Sequence, residues 1–255
     1  MTQGPVKTQE RRALVTGGSR GIGAAIAQRL AHDGYRVAIH FRSDPGLAED
    51  VRAALPGADH LLVRADLRDP DQVRSMVDEV AQAWAGLDVL VNNAGIFEAH
   101  PIDDTEYDEW QARWAEAIAV NLVGPANATW AAVRHMGPGA SIVNVGSRGA
   151  FRGEPQCPAY GATKAAISAF GQSLAKDLGR RGIAVTTVAP GFVDTEMAAE
   201  AMAGDGGAIR RAESPFGRIA SPEEIAAAVA FLASPESAWM SGSILDANGA
   251  SYLRM

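Results

Sequence analysis

Three residues in the middle of the chain have the types and spacing for acid–base chemistry on an oxygen atom. Ser147 is followed by Tyr160 and, four positions later, by Lys164. Residues four apart share one face of a helix. The lysine ammonium is therefore expected to stabilise the phenolate and lower the pKa of the tyrosine, ordinarily about 10. Such a tyrosine can protonate a carbonyl oxygen or deprotonate an alcohol, while the serine hydroxyl holds the same oxygen. The set predicts carbonyl–alcohol interconversion, which requires a hydride donor.

A glycine-rich turn near the N-terminus predicts the site of such a donor. TGGSRGIG, residues 16–23, follows a short apolar strand predicted over residues 13–16 and opens a helix that runs to about residue 31. Glycines allow the backbone to approach a pyrophosphate, and a helix N-terminus favours its negative charge. The spacing differs from the common G-x-G-x-x-G pattern because the wide gap comes first. From this motif alone, a plain tight turn is the alternative.

The end of the second predicted strand, residues 36–41, bears on the choice of cofactor. NAD sites usually place an Asp or Glu here. This chain instead has Phe41, Arg42 and Ser43, and Arg20 lies inside the glycine turn. Guanidinium groups bind phosphate in bidentate fashion. We therefore predict NADP(H), the alternative being that both arginines are merely solvated.

Alternating strands and helices are predicted to position these residues. Later strands are predicted over residues 61–64, 88–91, 141–145, 184–188 and 243–245. This alternation predicts an α/β fold, a single-domain Rossmann-like three-layer sandwich with a seven-stranded parallel sheet. Ligands bind such sheets at the carboxyl ends of the strands, where NNAG, residues 92–95, is expected to lie beside the glycine turn.

Domain organisation is predicted to be simple. We expect a flexible N-terminal tail over residues 1–12, one dinucleotide-binding domain over residues 13–255, and an alanine- and glycine-rich substrate lid at about residues 195–215. Asn121, late in an apolar helix (AIAVNLVG), predicts a helix irregularity or a buried hydrogen bond.

Composition excludes several classes of function. The formal net charge of −7 over 255 residues disfavours nucleic acid and anionic membranes as partners. The apolar runs are too short to span a bilayer, and the single cysteine, Cys157, suits a reducing cytoplasm. No metal site is predicted, because the histidines lack the spacing of metal ligands; they are His32, His40, His60, His100 and His135.

Together these motifs resemble the short-chain dehydrogenase/reductase family. The resemblance extends from about residue 14 to residue 249 and is carried, in the family's order, by TGGSRGIG, NNAG, Asn121, Ser147, Tyr160-x-x-x-Lys164 and Pro190-Gly191. It implies that Tyr160 is the catalytic acid/base, that Ser147 polarises the substrate oxygen, and that Lys164 also hydrogen-bonds the nicotinamide ribose. Asn121 would hold a water that links Lys164 to solvent.

The resemblance also implies a set of cofactor contacts. Asp66 and Leu67 would flank the adenine, and Val193 and Thr195 would hold the carboxamide end and the diphosphate. The full predicted cofactor-binding set is Gly17, Ser19, Arg20, Gly21, Ile22, Gly23, Phe41, Arg42, Ser43, Asp66, Leu67, Asn93, Ala94, Gly95, Tyr160, Lys164, Pro190, Gly191, Val193 and Thr195.

The predicted function is NADPH-dependent reduction of a carbonyl to a secondary alcohol, and the resemblance points to the 3-oxoacyl-carrier-protein reductase-like branch. Arg180 and Arg181 match a basic position that attracts the acidic carrier there, whereas residues 135–140 (HMGPGA) are less basic than expected. The alternatives are an NAD(P)-dependent dehydrogenase of a sugar, steroid or other alcohol, and a non-catalytic NADP(H)-binding sensor. The resemblance further implies a homotetramer, and the single cysteine favours the cytoplasm as its location.

Overall fold

The computed structural model of the chain describes residues 10–199 and 205–254. The predictions for residues 1–9 of the tail and residues 200–204 of the lid lie outside the described residues. Arg12 belongs to the first strand, so regular structure begins inside the segment predicted to be a tail.

One seven-stranded sheet forms the centre of the protein, in the order β3-β2-β1-β4-β5-β6-β7. All of its neighbouring strands run parallel. The strands are β1 (Arg12–Val15), β2 (Arg36–Phe41), β3 (Leu61–Arg64), β4 (Val89–Asn92), β5 (Ser141–Val145), β6 (Ala184–Pro190) and β7 (Ile244–Ala247). The predicted Rossmann-like three-layer architecture is confirmed.

The connections between strands are helical. The α-helices of the described residues are α1 (Gly21–His32), α2 (Pro45–Ala54), α3 (Pro70–Trp84), α4 (Tyr107–Ile118), α5 (Gly124–Ala132), α6 (Gly149–Arg152), α7 (Pro158–Leu178), α8 (Asp205–Ala212) and α9 (Pro222–Ala233). A π-helical turn, Ala119–Val123, joins α4 to α5, and 3₁₀ turns occupy Gly179–Arg181, Glu196–Ala198 and Pro235–Met240.

The strand order places the ligand site. The chain moves outward from β1 to β3 and then returns to add β4 on the other side of β1. The loops after β1 and β4 therefore diverge to opposite faces and leave a crevice at the carboxyl edge of the sheet, which is where ligands bind in folds of this kind.

Two apolar cores hold the layers together, one on each face of the sheet. On one face α1 and α9 pack against alternate residues of the strands, among them Val15 of β1 and Val91 of β4. On the other face α3 and α5 pack against the intervening residues, among them Leu14 and Leu90. Successive residues of each strand therefore face opposite cores, as expected of strands that are buried on both faces.

Local sequence explains the helix starts. Asp44 and Asp69 cap α2 and α3 by accepting hydrogen bonds from first-turn backbone N–H groups. Ser221 and Glu224 form a reciprocal capping box at the start of α9, as the sequence Ser-Pro-Glu-Glu predicts. Pro158 occupies the first turn of α7, a position where a missing N–H carries no penalty.

Candidate active site

A cavity of about 650 Å³ lies at the carboxyl edge of the sheet. It is lined by every residue of the predicted cofactor-binding set and by Ser147. Asn121 is absent from the lining because it sits beneath it, 1% exposed. The structure thus brings together residues that are as much as 178 positions apart, from Gly17 to Thr195, at one end of the fold.

The glycine turn between β1 and α1 is shaped by close backbone contact. Gly17 and Gly21 adopt φ of +62° and +52°, which L-residues with side chains rarely adopt. A Cβ at Gly23 would lie 2.0 Å from the Gly17 carbonyl oxygen, so no other residue fits there. The turn opens α1 with its backbone at the cavity wall, and this arrangement fits a dinucleotide pyrophosphate.

Hydrogen bonds to the loop after β4 hold this turn in place. Thr16 Oγ1 accepts hydrogen bonds from the N–H groups of Asn93 and Ala94, at 2.9 and 3.1 Å. Asn93 Nδ2 donates to the carbonyl oxygens of Thr16 and Gly17. The predicted placement of NNAG beside the glycine turn is confirmed, and its first role is to brace that turn.

His40, which the sequence analysis left without a role, supports the same turn from β2. Its Nδ1 accepts a hydrogen bond from the Gly17 N–H at 3.0 Å, and its Nε2 lies 3.0 Å from the Ala65 carbonyl oxygen. Burial lowers the pKa of His40, in keeping with a neutral ring that carries its proton on Nε2. Only knowledge of the strand order could have shown this role.

The far end of the cavity carries the predicted arginines. Arg42 and Ser43 are exposed directly after β2, and Arg20 pairs with Glu196 at 3.1 Å with both side chains largely in solvent. Asp44 also lines this end, but its Oδ1 caps α2.

The Asp66 carboxylate is likewise already hydrogen-bonded within the protein. It receives hydrogen bonds from Arg68 that lower its pKa to about 2. The exposed guanidinium groups at this end, that of Arg42 and that of Arg20 in its solvent-exposed pair with Glu196, match a 2′-phosphate better than a bare ribose hydroxyl.

Tyr160, Ser147 and Lys164 meet at the opposite end, near the first turn of α7 and the end of β5. Lys164 Nζ donates to the Val145 carbonyl oxygen at 2.8 Å and lies 5.6 Å from the centre of the Tyr160 ring. Ser147 Oγ accepts from the Gly149 N–H at 3.0 Å. The shared helix face predicted for Tyr160 and Lys164 is confirmed.

The predicted effect of Lys164 on Tyr160 is wrong for this arrangement. Burial raises the pKa of Tyr160 to about 12, against a smaller lowering by its hydrogen bond with Ser147. Burial also lowers the pKa of Lys164 to about 8. Desolvation favours the neutral form of both groups, and the lysine nitrogen is directed at a backbone carbonyl rather than at the phenol. At neutral pH Tyr160 is therefore protonated and able to donate.

Asn121 lies in the π-helical turn between α4 and α5. The helix irregularity and the buried hydrogen bond, which the sequence offered as alternatives, both occur there. Its Oδ1 accepts from the Ile96 N–H at 2.8 Å, and its Nδ2 donates to the Ile96 carbonyl oxygen at 3.0 Å and to Thr163 Oγ1 at 3.3 Å. The irregular turn thereby ties the loop after β4 to α7, next to Lys164.

Several cavity residues could not be found from sequence motifs. Phe97 contacts Tyr160 edge to face, with ring centres 4.8 Å apart. The others that line the substrate end of the cavity are Glu98, Arg148, Glu154, Phe192 and Met197. Most of these residues lie in loops that follow a strand, and this is the one feature they share. Their spacing in the sequence matches no catalytic or binding motif.

Two further predictions concern Arg181 and membrane spans, and His100 has a structural role. His100 is 3% exposed, is absent from the cavity lining and accepts a hydrogen bond from the Ala159 N–H of α7. Arg181 donates to the carbonyl oxygens of Val133 and Met136, so it has a structural contact where a carrier-binding role was considered. None of the helices within residues 10–199 and 205–254 is long and apolar enough to cross a bilayer.

Comparison with known proteins agrees with this geometry. Residues 17–249 match a family model described as enoyl-(acyl carrier protein) reductase. The cis-4-hydroxycyclohexanecarboxylate dehydrogenase of Sinomonas cyclohexanicum is 40% identical over 94% of this chain and 96% of the relative. The 3-oxoacyl-(acyl-carrier-protein) reductase FabG of Staphylococcus aureus is 35% identical over 95% of this chain and 98% of the relative.

Solved structures give the same result. A short-chain dehydrogenase of Burkholderia cenocepacia J2315 in complex with NADP superposes with a TM-score of 0.88 and 41% identity, over 96% of this chain and 99% of that one. A blue fluorescent protein from a metagenomic library, in complex with NADPH, has a TM-score of 0.85 and 36% identity over 95% and 98% of the two chains. The chain therefore belongs to the short-chain dehydrogenase/reductase family of NAD(P)-dependent oxidoreductases.

Proposed function

We propose that this protein is an NADPH-dependent reductase that converts a carbonyl group into a secondary alcohol. The observation that carries the proposal is a single cavity with a braced glycine turn on one side and Tyr160, Ser147 and Lys164 on the other. Tyr160 is protonated at neutral pH, which is the state that a general acid needs at the start of a carbonyl reduction.

The cofactor assignment rests on the cationic end of the cavity. Arg20 and Arg42 would bind the 2′-phosphate, Ser43 would add a hydroxyl, and the glycine turn would hold the pyrophosphate. Two structurally similar proteins bind NADP and NADPH. When bound, NADPH supplies the hydride.

The protein's own residues manage the proton and the oxygen. Ser147 and Tyr160 hydrogen-bond the carbonyl oxygen and stabilise the negative charge that develops on it. Tyr160 donates its phenolic proton to that oxygen. Lys164, 5.6 Å from the centre of the phenol ring, would hydrogen-bond the nicotinamide ribose, and Asn121 holds the helix turn next to Lys164.

The substitution Tyr160→Phe tests the proposal directly. We expect NADPH oxidation with a panel of ketones to fall at least about 100-fold, the contribution typical of a general acid, while NADPH binding measured by calorimetry changes little. Tyr35→Phe is the matched control, because Tyr35 lies in a core away from the cavity. Turnover retained by Tyr160→Phe contradicts the acid–base role. Tight NADPH binding by the wild type without turnover of any ketone or alcohol favours a sensor.

Two substrate classes deserve comparison because relatives act on both. FabG of Staphylococcus aureus is named for reduction of 3-oxoacyl-carrier-protein, and the Sinomonas relative for dehydrogenation of a hydroxycyclohexanecarboxylate. Acetoacetyl-coenzyme A and 4-oxocyclohexanecarboxylate in one kinetic panel separate a thioester reductase from an alcohol dehydrogenase of the second kind.

We also infer a cytoplasmic homotetramer. Large apolar side chains remain exposed on single protomers, with exposures of 72% for Tyr107, 53% for Trp130 and 101% for Trp239. We infer that neighbouring protomers cover these side chains in the assembly. Light scattering that gives the mass of one chain contradicts the assembly.

A further inference from the structure

The carboxylate of Glu154 lies on the wall of the catalytic cavity with an open acceptor. Glu154 lines the same cavity as Tyr160, and its side chain is 12% exposed. Its closest cation is Arg152, with Nε 3.6 Å from Oε1, and no hydrogen bond to the carboxylate exists within the described part of the chain. An ionised carboxylate only accepts hydrogen bonds, so its oxygens on the cavity wall are open to a donor group of a bound ligand.

The local fold is arranged to put a carboxylate there. Gly153, at φ +84°, reverses the chain after α6 and brings Glu154 back over that helix. A Cβ on Gly149 would lie 2.5 Å from Glu154 Oε1. The two glycines therefore leave the room in which the Glu154 side chain sits, a close approach that a side chain at position 149 would prevent.

Arg148 adds a positive charge to the same wall. The residue follows Ser147 directly, lines the cavity and is 2% exposed. Its Nη2 donates to Glu213, and its guanidinium lies 5.0 Å from the Phe192 ring centre. Its Nη1 is buried and has no hydrogen-bond partner among the described residues.

The two charges on this wall discriminate between ligand chemistries. An anionic substrate group would be repelled by the Glu154 carboxylate, and a cationic one would be repelled by the Arg148 guanidinium. A hydroxyl is neutral and can donate a hydrogen bond, so it binds Glu154 without either conflict.

We propose that Glu154 binds a hydroxyl group of the substrate close to the carbonyl at Tyr160, while the Arg148 charge disfavours cationic groups, so that the substrates are hydroxyketones and the products diols. The inference rests on the proposed reductase function and adds its substrate class. It assigns Glu154 as a specificity-determining residue, whereas Tyr160 remains the acid.

Matched ketones that differ only in hydroxyl against methyl test the proposal. The pairs are hydroxyacetone with butanone and acetoin with 3-methylbutan-2-one, measured as kcat/KM with NADPH. We expect the wild type to prefer each hydroxyketone, and Glu154→Leu to lower kcat/KM for the hydroxyketones by about 10- to 100-fold, the loss expected for a hydrogen bond to a charged group. The values for the methyl partners should change by less than about threefold. A merely structural role for Glu154 would lower both members of a pair alike.

Two further variants distinguish a loss of substrate binding from a folding defect. Glu154→Gln keeps the shape and one acceptor, so we expect an intermediate loss confined to the hydroxyketones. Glu98→Gln is the matched control, because Glu98 also lines the cavity but its side chain is 42% exposed and pairs with Arg113. We expect this control to leave the hydroxyl preference unchanged.

The results that would overturn this inference differ from the result that would overturn the proposed function. Reduction of plain ketones without any hydroxyl preference, or a preference that Glu154→Leu leaves intact, overturns this inference but not the reductase function. Preference for keto acids over both members of each pair overturns it as well, and assigns Arg148 to an anion. The absence of NADPH oxidation with every ketone overturns the proposed function itself.

Discussion

Tyr160 is more weakly acidic in this structure than a neighbouring lysine would suggest. A pKa raised to about 12 keeps the phenol protonated over the whole physiological range, and a lysine pKa lowered to about 8 leaves the ammonium close to losing its charge. Both shifts follow from burial, because a low-dielectric wall disfavours either ion. The residues thus start the reaction in the state that a general acid requires.

Arg42 offers a sharp test of the cofactor proposal at the level of a single residue. Because a guanidinium on a phosphate forms charge-assisted hydrogen bonds, we expect Arg42→Ala to raise KM for NADPH by about 10- to 100-fold and to change KM for NADH by less than about threefold. Steady-state kinetics with both cofactors measure the ratio. Arg29→Ala serves as the control, since Arg29 lies on α1 paired with Asp33 in solvent. An equal effect of Arg42→Ala on both cofactors would rule out 2′-phosphate recognition.

The glycine turn between β1 and α1 depends on a neutral histidine of the adjacent strand, β2. His40 accepts the Gly17 N–H on Nδ1, a contact that protonation of Nδ1 would destroy. Its pKa is lowered by burial from an ordinary value of 6.5. A folded-state pKa below the unfolded one means that stability is fully present above about pH 6.5 and is lost as the pH falls through the folded value.

We therefore expect the free energy of unfolding in urea to decrease between about pH 7 and pH 5. The variant His40→Asn should be less stable at pH 7, should bind NADPH more weakly and should show a shallower dependence on pH. His100, whose pKa is also lowered by burial, contributes with the same sign and accounts for the slope that remains. An unchanged slope in His40→Asn would show that His40 is not the titrating group.

At the scale of the whole molecule, ion pairs join the segment predicted to be a lid, at about residues 195–215, to the residues that follow β5. Glu213, directly after α8, contacts Arg148, Arg152 and Arg210, and Arg20 of the glycine turn pairs with Glu196 at the start of the lid segment. Removing one partner of a buried ion pair leaves the other charge uncompensated. The arginines hold the pKa of Glu213 below its usual value although burial opposes them.

Glu213→Gln is accordingly expected to destabilise the fold by about 3 kcal/mol and to raise KM for the ketone substrate. Since the folded pKa of Glu213 lies below 4.5, its contribution is present above about pH 4.5 and is lost in acid. Thermal and urea unfolding at several pH values measure the effect. Glu236→Gln, an exposed residue of the 3₁₀ turn after α9, is the control. A Glu213→Gln protein as stable as this control would show that the arginines do not depend on Glu213.

The chain's own pattern determined the architecture and most of the cofactor cavity. Apolar strands alternating with capped helices define a parallel sheet, as at Asp69 and Pro70 before α3. The glycine turn, NNAG and the Tyr160–Lys164 spacing are local signals, because each depends on residues a few positions apart. Helix α6 and helix α8, which lies in the segment predicted to be a lid, were not predicted, because each is too short to show a helical repeat of apolar residues.

Only the tertiary structure decided which groups are buried, paired or left open. It placed His40 behind Gly17, Glu213 against Arg148, and Glu154 over Gly149, all through contacts between separate elements. It also reversed the expected pKa shift of Tyr160, because desolvation depends on everything packed around the phenol and not on the residue one turn away. Sequence spacing reports neighbours along the chain, whereas burial and charge pairing are properties of the folded surroundings.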